Sequence, residues 1–183
     1  MNICKSASII IIAVIATGCS TTNSIPYKAS IGNVVTIQQS LESQGKTVSV
    51  GNIVPAAGVD EGLLCRLMGP VKVAPGKTLS QYIKDAFQEE LFMAKVYSPK
   101  STNIIKGTVQ SISFSSISPA SWDITMNVAS NHSPGYTVSV NYNFDTSFDA
   151  YSACKNVANA FGPAVQELLK QVVNHPQFAS LAK

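Results

Sequence analysis

The stretch SWDITMNVASNHSPGYTVSVNYNF, residues 121–144, decides the fold. Trp122, Ile124, Met126 and Val128 alternate with Asp123, Thr125 and Asn127; beyond the turn, Tyr136, Val138, Val140, Tyr142 and Phe144 alternate with Thr137, Ser139, Asn141 and Asn143. A period of two belongs to strands with one face buried, and SNHSPG supplies the chemistry of a chain reversal. The segment predicts an antiparallel hairpin whose apolar row, Trp122 included, faces a core. Its other row would be polar and almost uncharged.

Working outward, residues 103–117, NIIKGTVQSISFSSI, read as a third strand. Ile105 and Val109 share one parity and Ile112 and Phe114 the other, a phase change that predicts a bulge. Residues 78–97 predict a helix. Thr78 and Gln81 form a capping box, while Leu79, Ile83, Ala86, Phe87, Leu91 and Ala94 form one apolar stripe. Residues 55–77 are dense in Gly and Pro and read as a loop carrying Cys65 and Arg66. Before it, residues 46–54 alternate as a strand, and residues 30–46 place Val34, Ile37, Gln38 and Leu41 at helical spacing with Gly45 as a C-terminal cap. After the hairpin, residues 147–176 predict a long helix with Tyr151, Cys154, Ala158, Phe161, Val165, Leu168 and Val172 on one stripe, kinked at Pro163. Pro176 ends it, and Phe178 and Leu181 can drop onto the core edge. The expected class is α+β: a four-stranded, antiparallel-rich sheet with helices packed on one face and a long kinked C-terminal helix.

The amino terminus bears on location. Residues 1–18, MNICKSASIIIIAVIATG, place one charge, Lys5, before an apolar block from Ile9 to Ala16. That block is too short to cross a bilayer, which takes about 20 apolar residues, and the pattern is that of a secretory signal peptide. ATGC at residues 16–19 resembles the lipobox of bacterial lipoproteins, with Ala16 where leucine is usual. The resemblance implies that Cys19 is acylated, as by palmitate, and becomes the first residue after cleavage. By the same resemblance, Ser20 rather than Asp implies sorting to the outer membrane, facing the periplasm. Residues 19–30 are polar and turn-rich, as a flexible tether should be, and residues 31–183 form the single expected domain.

Residues 19–183 carry 12 Lys and Arg against 10 Asp and Glu, and charged residues make up only 13% of the whole chain. A near-neutral chain without a basic stripe does not suit nucleic acid. With Cys4 removed and Cys19 acylated, Cys65 and Cys154 remain, and in an oxidising compartment they are expected to bridge.

The signals for chemistry are sparse. His132 sits in a turn and His175 at a helix end. No spacing of His, Cys or carboxylates suggests a metal site, and no glycine-rich phosphate loop is present. Asp60 and Glu61, and Glu89 and Glu90, are sequence neighbours; the second pair is expected on the solvated side of its helix. Arg66 is expected to satisfy carbonyl groups beside the cysteine pair. No cofactor is expected, and no catalytic activity.

Through CRLMGP, YIKDAF, ISFSS, SWDI and AFGPAVQELL the chain is similar to an uncharacterised group of proteobacterial lipoproteins, a resemblance that implies location and no mechanism. Its element order also resembles small α+β envelope lipoproteins such as the one that plugs the lipopolysaccharide translocon. The expectation is a lipid-anchored, non-catalytic accessory of an envelope transport or assembly complex. The alternative is a module binding a glycan or small lipid-like ligand on the face formed by Thr125, Asn127, Thr137, Ser139, Asn141 and Asn143.

Overall fold

The computed structural model describes residues 21–22 and 26–183; the expected leader and Cys19 lie outside the described residues. In chain order the elements are β1 (Thr21–Thr22), α1 (Ile31–Ser40), β2 (Ser49–Pro55), β3 (Val71–Lys72), α2 (Leu79–Met93), β4 (Ile104–Ser115), β5 (Ala120–Ser130), β6 (Tyr136–Phe144) and α3 (Ala150–Val173). Short 3₁₀ turns follow α1 and α3.

The main sheet has the order β2-β4-β5-β6. β4, β5 and β6 form an antiparallel meander, while β2 runs parallel to β4. A parallel pair needs a long crossover, and α2 lies within it. This is the α+β architecture expected from the alternating and helical periods. The phase change in β4 is a register shift between Val109 and Ser111. It keeps Ile105 and Val109 on the core side before the shift, and Ile112 after it. Gly135 closes the β5–β6 turn at φ 77°, where a Cβ would meet the Val128 carbonyl oxygen at 1.7 Å. Only glycine fits that approach.

The inner row of the hairpin packs as the alternation requires: Trp122, Ile124, Met126, Val128 and Val138 are buried. Trp122 donates its indole N–H to the Val157 carbonyl at 2.8 Å, which satisfies the polar atom of a large core side chain. Rings continue from it, Phe114 at 5.1 Å and Phe161 at 4.8 Å, with Tyr82 5.2 Å from Phe161 and Tyr27 6.0 Å from Tyr82. Tyr82 approaches α3 closely at Gly162, where an added Cβ would lie 3.0 Å from the Tyr82 hydroxyl and the ring would have to give by a few tenths of an ångström.

The capping box of α2 forms as expected from Thr78 and Gln81. Helix α3 starts on Asp149, whose carboxylate accepts from the Ser152 amide; that bond holds the Asp149 carboxyl below the usual range. The helix runs through Pro163 as one element. Its stripe differs from the expected one at Tyr151, which is exposed: the first turn stands clear of the core and the buried face begins at Ala153 and Cys154. Phe178 and Leu181 are buried against the core. At the same end of the molecule, Asn103 donates to the carbonyls of Thr47 and Lys183 and accepts from the Lys183 amide, holding the two segments together.

Candidate functional site

Three features of the domain are candidates for function. The first is the outer row of the sheet. Asp123, Thr137, Ser139, Asn141 and Asn143 are exposed and Thr125 and Asn127 partly so, joined by Lys106, Thr108, Ser111 and Ser113 from β4. The expected six residues therefore share one face, with Lys106 and Asp123 its charged members. Neighbours bond across strands: Thr125 with Ser139 at 2.9 Å, Asn141 to Asp123, and Asn127 to the Tyr136 carbonyl at 3.2 Å. These pairs are the cross-strand unit of sheet stabilisation and give the face a fixed pattern of donors and acceptors.

The second feature is a buried carboxyl that the sequence reading places wrongly. Glu90 is 0% exposed. It lies seven residues after Ile83 on the core stripe of α2, and α1 with the segment ahead of it covers that stripe. Tyr27 donates its hydroxyl to Glu90 Oε1 at 2.7 Å, the Ser30 amide donates at 3.2 Å, and Asn33 Nδ2 reaches both carboxylate oxygens at 3.0 and 3.1 Å. Asn33 Nδ2 also donates to the Gln166 carbonyl in α3 at 3.0 Å. Burial raises the Glu90 carboxyl above its ordinary range, opposed first by the Tyr27 bond. The same burial, with the Glu90 charge beside it, raises the Tyr27 hydroxyl. Residues 27–30, read from sequence as the end of a tether, are thus docked on the domain. A groove of about 240 Å³ beside them is lined by Tyr27, Tyr82, Asn159 and Gly162 among others.

The third feature is the end of the molecule built around Cys65 and Arg66. Cys65 is joined to Cys154 across a separation of 89 residues. Arg66 donates Nε to Ser116 Oγ at 3.1 Å, one terminal nitrogen to the Ser116 carbonyl, and the other to the carbonyls of Ser147 and Phe148 at 3.0 and 3.1 Å. One planar guanidinium thereby gathers three loops, the carbonyl role expected of it. Arg66 and Leu67 both adopt left-handed backbone, at φ 42° and 61°.

Other predicted positions have structural duties. His175 stacks on Tyr136 with centroids 3.8 Å apart and accepts from the Gln177 amide. His132 is exposed in the β5–β6 turn, beside Asn131, whose side-chain amide bonds the Thr102 carbonyl and accepts from the Ile104 amide. Glu61 accepts from the Ser80 amide in the first turn of α2, and Asp60 from Gly62. Among the described residues no three His, Cys, Asp or Glu side chains cluster as metal ligands, and no helix is long and apolar enough to cross a membrane.

Fold and surfaces together define a small disulfide-bridged α+β domain with an open polar sheet face. No family model matches the chain, and no curated protein matches it. Among solved structures, a Xanthomonas campestris protein described by the DUF330 family model is similar, with 12% identity and a TM-score of 0.49, over 84% of this chain and 94% of that one.

Proposed function

We propose that the chain is a lipid-anchored accessory protein of the bacterial envelope. Acyl chains on Cys19 hold it to the periplasmic side of the outer membrane, and its domain binds a component of a transport or assembly complex without catalysing a reaction. The observation that carries the reading is an open, nearly uncharged face of β4, β5 and β6 on a domain that follows a lipobox-like stretch. A face of fixed donors and acceptors with few charges suits a protein surface, because little charge has to be desolvated on docking.

A photo-crosslinking residue placed at Ser139 or Asn141 in intact cells should capture the same envelope protein from both positions, and one at His132 should not. Absence of any product from either face position would overturn the binding role. In parallel, the purified native chain should begin at Cys19 with acyl mass, and Cys19→Ala should abolish incorporation of labelled palmitate.

A further inference from the structure

Large apolar side chains are concentrated, exposed, at the Arg66 end. Leu67 is 99% exposed, Phe148 107%, Ile117 70% and Leu64 69%. Leu67, Ile117 and Phe148 come from three different loops: Leu67 follows Arg66, Ile117 follows Ser116, which Arg66 bonds, and the Phe148 carbonyl accepts from Arg66. A further bond, Thr146 Oγ1 to the Ser116 carbonyl at 2.5 Å, ties two of those loops again. The presentation of Leu67 costs energy: left-handed backbone at two successive non-glycine residues is sparsely populated and persists only where surroundings enforce it. Here Arg66 and the neighbouring disulfide enforce it. Tyr151, also exposed, follows Phe148 by three residues in the first turn of α3, and tyrosine favours the boundary between water and lipid.

The pairing of β1 says which described segment neighbours this end. β1 pairs parallel with β3, Thr21 beside Val71. Val71 in turn bonds the Leu63 carbonyl at 2.9 Å, and Leu64 bridges Pro70. Thr21 and Thr22 therefore lie beside the segment that carries Leu64 and Leu67. Cys19 is two residues ahead of Thr21, so its Cα is within about 8 Å of that of Thr21.

We propose that Leu64, Leu67, Ile117 and Phe148 enter the lipid leaflet that holds Cys19, so that the anchor and the loops form one membrane-facing surface and the domain stands upright on it. The inference rests on the acylation proposed above. Charges flanking these loops in the sequence are of both signs, Arg66, Lys72 and Lys155 against Asp60, Asp145 and Asp149, so the contact is apolar and salt leaves it in place. Insertion of such side chains reaches about 5–10 Å, to the headgroup and acyl boundary.

The test uses the acylated full-length product in phosphatidylethanolamine–phosphatidylglycerol vesicles with brominated acyl chains. Leu67→Trp and Phe148→Trp are read against Phe92→Trp, whose site is 67% exposed at the far end of α2; buried Trp122 supplies a constant background. The two loop variants should lose most of their added emission to bromine, equally at low and high salt, and the Phe92→Trp variant should lose none. Loop emission as water-exposed as that of Phe92→Trp, in protein shown by mass to be acylated, overturns the inference alone. A blue shift without bromine quenching places protein, such as a second copy of the chain, against the loops and also overturns it. Native protein without acyl mass removes the anchor reading and this inference with it.

Discussion

At Glu90 a single carboxyl joins the segment before α1 to the body of the domain. Because burial raises its pKa, the folded protein binds this proton more tightly than the unfolded chain, whose carboxyl titrates near the ordinary 4.5. The sign follows: stability is greatest below about that value and falls as pH rises through the interval up to the folded pKa. Urea titrations across that range should show the decline in the wild type and a flatter profile in Glu90→Gln. Tyr27→Phe should lose about 2 kcal/mol and move the decline to higher pH, since the Tyr27 bond is the main interaction holding the Glu90 pKa down. Trp122 poses a packing problem rather than an ionic one. Trp122→Ala would leave a cavity and an unpaired Val157 carbonyl, and should cost about 3–5 kcal/mol by equilibrium unfolding.

Among the elements, the hairpin rests on Gly135. Gly135→Ala forces a methyl into the Val128 carbonyl and should destabilise the protein by more than about 1 kcal/mol, with loss of amide protection concentrated in β5 and β6. The hairpin, the β4 bulge, the α2 capping box and the continuity of α3 were all legible in sequence, because each is written in contacts between residues a few positions apart. Glu90 was not. Its donors Tyr27 and Asn33 are 63 and 57 residues away, and a local helical pattern does not report what covers a stripe from so far. Arg66 was legible as a carbonyl ligand, but the loops it gathers, 50 to 82 residues distant, were not. The pairing of β3 within a segment that reads as loop was invisible for the same reason: two residues are too few for a period. Of the candidate surfaces, the polar sheet face follows from alternation alone, whereas the apolar end arises from three loops that meet only after folding.

On the scale of the whole molecule, the parallel β2–β4 pair joins Ser49 to Ile104, and the disulfide closes a longer loop, across a separation of 89 residues. Reducing it should lower stability by about 4–5 kcal/mol if the chain-entropy model holds for a loop of this size, measured as the difference between unfolding in oxidised and thiol-treated samples. Losing it would also free the loop that carries Leu67 from α3. The same bond governs what a protease can do. The exposed turn at Asn131 and His132 lies between the two cysteines, so a cut there leaves both fragments covalently joined. Such a nicked chain would migrate as one species on a gel run without reductant and separate into two only after thiol treatment.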